Sequence, residues 1–146
     1  MSSLVKLARK PPITVGPDVT VMEAIDVMFD AHVGAVAVVE GKAKLLGIFT
    51  ERDVLRKIIH EGRDAKSVQV SDVMTTEMVI ADDSLAVSDA LNLMSEKRIR
   101  HLPVVDKDGN IEGMVSLRYL LHDRQDVMLN ELMSLESYMG ADGPGG

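Results

Sequence analysis

The sequence predicts a mixed α/β (α+β) chain built from two copies of one unit. The first observation is internal: an offset of 66 residues aligns the two halves without a gap from Asp18 to at least Leu55. Ala24 falls on Ala90, Met28 on Met94, Val38 and Val39 on Val104 and Val105, Gly47 on Gly113, and Arg52 on Arg118. The second is the order within each copy, where an amphipathic run is followed by two short β-branched runs and then another helical run. The third is size. A unit of about 60 residues buries too little surface to be secure alone, so the copies are expected to share a core.

In the first copy, Thr20 to Ala31 places Val21, Ala24, Ile25 and Met28 on one helical face, with Asp18 or Thr20 as cap and Glu23 three residues after Thr20. The second copy repeats this with Val87, Ala90, Leu91 and Met94, led by Asp83 or Ser84. Ala35–Val39 and Leu102–Val105 read as strands, stopped by Glu40-Gly-Lys and by Asp106-Lys-Asp-Gly109. Leu45–Phe49 and Ile111–Val115 complete two hairpins. Thr50 then stands at a helix N-cap with Asp53 at N3, and Val54, Leu55, Ile58 and Ile59 are expected to face inward. Ser116-Leu-Arg-Tyr-Leu-Leu121 repeats that start, with Tyr119 in place of Asp53. The polar stretch Glu61–Ser71 reads as a linker, and Met139–Gly146 has no periodicity.

The 146 residues carry 16 Lys and Arg against 23 Asp and Glu, a net charge of −7, which argues against nucleic acid or anionic lipid as the main partner. Four aromatic residues are too few for a single-strand stacking platform. The absence of cysteine excludes disulfides, thiolate nucleophiles and cysteine-ligated zinc, and the four histidines show no metal-ligand spacing. No P-loop or nucleophile elbow occurs. No continuous apolar stretch suggests a signal peptide or membrane span, so a cytoplasmic protein that is not an enzyme is expected.

Helix, strand, glycine turn, strand ending in Gly47-Ile-Phe-Thr-Glu-Arg-Asp53, and helix, all given twice, resemble the tandem cystathionine-beta-synthase (CBS) domain pair, or Bateman module. Arg98-Ile-Arg-His-Leu-Pro-Val-Val105 and Val73-Met-Thr75 add to the likeness, which covers about residues 8–125. The resemblance implies two β-α-β-β-α units packed with pseudo-twofold symmetry: residues 8–66 as the first CBS domain, 67–126 as the second, 127–138 as a C-terminal helix and 139–146 as a disordered tail. It also implies a homodimer and a cleft that takes an adenosine-containing ligand.

A helix starting near Thr50 offers free backbone N–H groups to an anion, and Asp53 is a fit acceptor for a ribose diol. By resemblance, Thr50 contacts ribose or phosphate and Asp53 holds the ribose hydroxyls. Base contacts fall on Ile13, Val33, Gly34 and Ala35, and phosphate contacts on Arg100 and His101 within the basic run Lys97–His101. Arginine favours a phosphorylated ligand, so AMP, ADP or ATP leads, with S-adenosylmethionine or NAD as further candidates and no obligatory cofactor. Tyr119 lacks the carboxylate of Asp53, so the site at Ser116 and Tyr119 is expected to be empty, weaker or adapted. Thr50 with Asp53 also has the composition of a capping box, a purely structural device. The expected function is a regulatory adenine-nucleotide sensor acting on a separate effector protein or through its own oligomeric state. The alternative is a structural dimerisation or scaffold module.

Overall fold

The computed structural model describes residues 4–142. Its elements are α1 (Leu4–Leu7), β1 (Thr14–Val15), α2 (Val21–Ala31), β2 (Ala35–Glu40), β3 (Lys44–Thr50), α3 (Glu51–Asp53, continued as the π-helical Val54–Ile59), α4 (Val87–Lys97), β4 (His101–Val105), β5 (Ile111–Ser116) and α5 (Leu117–Asp142). One sheet runs β1-β2-β3, with β1 parallel and β3 antiparallel to β2. The other is the β4-β5 hairpin, beside which Ala81 forms a single parallel bridge to Val104. That bridge repeats in miniature the pairing of Val15 with Val38.

The alternation of side chains sorts β2 into two cores. Val36 and Val38 join Phe49, Val21, Ala24, Met28 and Ile58 under the helices of the first unit. Ala35, Ala37 and Val39 turn the other way, against Ile111 and Met114 of β5. A strand covered on both faces needs an unbroken apolar run, which Ala35-Val-Ala-Val-Val39 supplies. In the second unit Leu102, Val104 and Val115 pack with Val87, Ala90, Met94 and Leu120. The two sheets therefore meet face to face, each backed by its own helices.

Each unit is completed by a segment that precedes the other. Leu4 is fully buried in the second core, and Arg9 bridges Met114. In the same way Val70 and Val73 are buried in the first core, and Thr75 bridges Ile48. Glu61–Ser71 is thus more than a linker: its second half is pinned by bonds from Val21 N–H to Val68 O (2.8 Å) and from Val70 N–H to Val19 O (2.8 Å). The apolar Val68 and Val70 inside a polar stretch are the physical reason. Glycine permits the close approach at both crossings. A Cβ on Gly47 would sit 2.7 Å from Met74 Sδ and 2.9 Å from Thr75 O; one on Gly113 would sit 2.7 Å from Ala8 Cβ and 3.0 Å from Arg9 O.

Thr20 caps α2 through a bond from Glu23 N–H at 3.1 Å, but α4 begins at Ala86 without a side-chain cap. Ser84 is engaged instead in a turn with Asp82, whose carboxylate accepts its N–H at 2.8 Å. Both helices end on left-handed residues, His32 (φ 55°) and Arg98 (φ 56°), at matching places in the two copies. In α3 the π winding leaves Ile58 inside but turns Leu55 and Ile59 outward, against the expectation from a 3.6-residue period. The helix expected at 127–138 is the continuation of the one that starts at Leu117. No glycine or proline interrupts residues 117–139, so the helix runs on through Met139–Asp142, four residues assigned above to a disordered tail; residues 143–146 lie outside the described chain.

Gly113→Val is expected to lower unfolding stability by about 1–3 kcal/mol and to speed tryptic cleavage at Lys6 and Arg9. Unchanged stability and cleavage would show that the leading segment is not docked there.

Candidate functional site

Four junctions, two from helix to strand and two from strand to helix, converge where the sheets meet. Register sets Ala35 opposite Thr50 and His101 opposite Ser116. The Glu51 N–H donates to Gly34 O (3.0 Å) and the Leu117 N–H to Arg100 O (2.8 Å), the same bond in each copy. Between these junctions lies a cleft of about 1390 Å³. Ile13, Val33, Gly34 and Ala35 line one part of it; Arg100, His101, Ser116, Arg118 and Tyr119 line another; Lys6, Arg9 and Lys10 of the leading segment close a third. Five Lys and Arg side chains face it against a single carboxylate, Glu51. In a chain of net charge −7 this is a local concentration of positive charge.

Six of the eight residues expected from the sequence thus come together: Ile13, Val33, Gly34, Ala35, Arg100 and His101. Thr50 and Asp53 are not among the lining residues. Asp53 is buried, and its carboxylate accepts from Thr50 N–H (3.0 Å), Thr50 Oγ1 (3.2 Å) and Thr75 Oγ1 (3.1 Å) while pairing with Lys57 Nζ at 3.1 Å. Thr50 Oγ1 in turn accepts from Asp53 N–H at 3.2 Å, closing a full capping box. Val33–Ala35 share the cleft with Ser116–Tyr119 and with Glu51, while the Thr50 and Asp53 side chains are bonded to one another. Ser116 caps its helix through Tyr119 N–H (3.2 Å), and Tyr119 is half exposed in the cleft.

Gly34 makes room for the Glu51 carboxylate: a Cβ there would collide with Glu51 Oε1. Burial of the His101 ring pushes its pKa below the usual histidine range; Glu51 opposes the shift and Arg100 adds to it. The neutral imidazole is thus favoured, with a carboxylate and a guanidinium near it acting in opposite directions. Lys6, Arg9, Lys10 and Arg118 escaped the sequence reading. The 66-residue offset pairs Leu4 with Val70 and Leu7 with Val73, and that extension of the repeat was the signal for the first three. Among the described residues no group of three or more His, Asp or Glu is placed to hold a metal, and no helix is long and apolar enough to cross a membrane.

This geometry defines a tandem pair of α+β units around a shared cationic cleft. The chain belongs to the CBS domain family, whose model matches twice, at residues 4–60 and 70–126. It is 41% identical over 130 residues to the mitochondrial CBS domain-containing protein CBSX3 of Arabidopsis thaliana, matching 84% of this chain and 61% of that one. It is 38% identical over 117 residues to the CBS domain-containing protein YhcV of Bacillus subtilis, matching 80% of this chain and 81% of that one. The CBS-domain crystal structure NE2398 superposes with a TM-score of 0.76 at 32% identity, over 84% of this chain and 97% of that one. The fold is also that of CBSX2 in complex with AMP (TM-score 0.73, 24% identity, 88% and 99% covered) and of the MJ0100 pair in complex with 5′-methylthioadenosine and S-adenosylmethionine (TM-score 0.78, 22% identity, 86% and 98% covered).

Asp53→Ala is expected to cost about 2–3 kcal/mol of unfolding stability, since it removes a buried cap and the counter-charge of Lys57, and chemical denaturation measures it. Full stability with lost ligand binding would place the carboxylate on the ligand instead.

Proposed function

We propose that this chain is a regulatory, non-catalytic module that binds a phosphorylated adenosine in the cleft between its two CBS units. The observation that carries the proposal is the convergence of Arg9, Arg100 and Arg118, from three separate segments, on a cleft whose other wall is apolar. Ile13, Val33 and Ala35 offer the surface a base needs, with Gly34 allowing close approach. The arginines supply charge-assisted bonds to phosphate. The hydroxyls of Ser116 and Tyr119 are placed for a ribose, and Thr50 and Asp53 act from behind by fixing the turn that carries Glu51. Two proteins of this fold hold adenosine compounds, which supports the class of ligand. AMP, ADP and ATP fit the charge; S-adenosylmethionine brings a sulfonium cation and NAD a second nucleoside, so both rank lower.

Occupancy ties the first unit to the second and is passed to a separate effector or to the protein's own assembly, which in this reading takes place in the cytoplasm. Phe29 is 76% exposed, Ile59 66% and Leu55 60%, which equips the helical face of the first unit for a homodimer contact. The same surface favours the second reading, a dimerisation or scaffold unit without a ligand.

A thermal-shift series separates the two. AMP, ADP or ATP at about a hundred times its dissociation constant should add about 2.7 kcal/mol, and Arg100→Ala should remove the response. No shift with any adenine nucleotide overturns the sensor reading.

His101 gives a pH signature. Its folded pKa lies below the unfolded value of about 6.5, so the unfolded chain binds the proton first, and stability falls as pH drops below about 6.5. A bound phosphate favours the imidazolium, so binding takes up a proton and tightens as pH falls. Titration calorimetry in two buffers should register that uptake in the native chain and a smaller one in His101→Gln. Equal uptake in both removes His101 from the phosphate contact.

A further inference from the structure

Beyond Leu120, α5 leaves the module. No residue from Leu121 to Glu136 is buried, although the segment is rich in large apolar side chains. Leu121, Met128, Leu132 and Leu135 are 53%, 62%, 60% and 55% exposed. A single helix of about 15 residues is marginal in water, because its nucleus is costly and its stability comes from packing an apolar face. Leu121, Gln125, Met128, Leu132 and Leu135 follow one another at spacings of 4, 3, 4 and 3, the alternation of a two-stranded coiled-coil seam.

We propose that this helix pairs antiparallel with the same helix of a second copy of the chain. Charge selects the direction. In a parallel pair Glu131 lies beside the partner's Glu136, twice, with no attractive pair in return. In an antiparallel pair with Gln125 opposite the partner's Met128, Leu121 meets the partner's Leu132, and Arg124 lies beside the partner's Glu131, a pair that the twofold axis repeats along the same flank of the seam. The register is self-complementary, as a twofold contact requires. Its first residue, Leu121, also lines the cleft, so the seam starts at the cleft's edge; the exposed Leu55 and Ile59 are not part of it.

The absence of cysteine makes the register directly readable. Full-length Leu121→Cys and Leu132→Cys chains, mixed and oxidised, should give the mixed disulfide at least about tenfold over either self-linked species, because in this register like positions lie about 16 Å apart along the seam. Asn130→Cys on the opposite face provides the background, and circular dichroism confirms that each variant is folded. Glu131→Arg should cut mixed cross-linking about threefold at low salt, and adding Arg124→Glu to the same chain should restore it. Efficient self-linking of Leu135→Cys means a parallel pair and overturns the proposal. So does mixed cross-linking no higher than the Asn130→Cys background, the outcome if the helix docks on the partner's module instead.

Discussion

The close approach of two sheets is the constraint on which the rest of this structure depends. Ala35 and Ala37 on one face, and Gly47 and Gly113 where the crossing segments pass, keep the separation small. Neither unit closes its core alone: the first takes Val70 and Val73 from the stretch before the second, and the second takes Leu4 from the stretch before the first. Separation of the units would therefore expose the shared sheet face and also pull a buried residue out of each core. Two marginal units become one cooperative body through this reciprocal dependence.

The same geometry produces the cleft and determines its chemistry. Facing sheets bring the ends of both hairpins together, so the site is assembled from equivalent places in the two copies. Equivalence of position is not equivalence of role. Asp53 and Tyr119 stand at matching positions, yet Asp53 turns inward, where Lys57 and Thr75 satisfy it, and Tyr119 faces the cleft. The residue that matches Lys57 is Asp123, and the one that matches Thr75 is Arg9, so the second copy lacks the inward cation and gains an outward one. The pseudo-symmetry is broken by electrostatics while the backbone is kept.

The repeat, the paired hairpins and the capping box at Thr50 were legible because each is a local pattern with a fixed period or spacing. The residues of the cleft were legible in part. Val33–Ala35 and Arg100–His101 follow from the strand starts, but that Val33–Ala35 lie across from Ser116–Tyr119 depends on how the sheets face each other, which no local pattern encodes. The CBS resemblance assigned Thr50 and Asp53 to ligand; the fold gives the Asp53 carboxylate four contacts within the chain, from Thr50, Thr75 and Lys57. Leu55 and Ile59 were expected in the core because the π winding departs from the 3.6-residue period, and the terminal helix was expected to be shorter because the large apolar residues of 121–136 are not buried among the described residues.

Charge connects the proposed ligand to a response. Arg9 belongs to the leading segment, Arg100 to the end of α4's loop and Arg118 to α5, and all three face one cleft with Glu51 as the sole carboxylate. Without an anion these like charges repel across the very contact that joins the units, and the partly buried imidazole of His101 favours its neutral form. In the proposed complex a phosphate relieves that repulsion, favours the imidazolium and links segments from both copies. Its affinity is therefore highest for the arrangement in which those segments are closest. That differential is what a ligand must have to shift a population. Of the three, Arg9 sits on the segment that also plugs Leu4 into the second core, so occupancy of the cleft and docking of that segment stabilise one another by linkage.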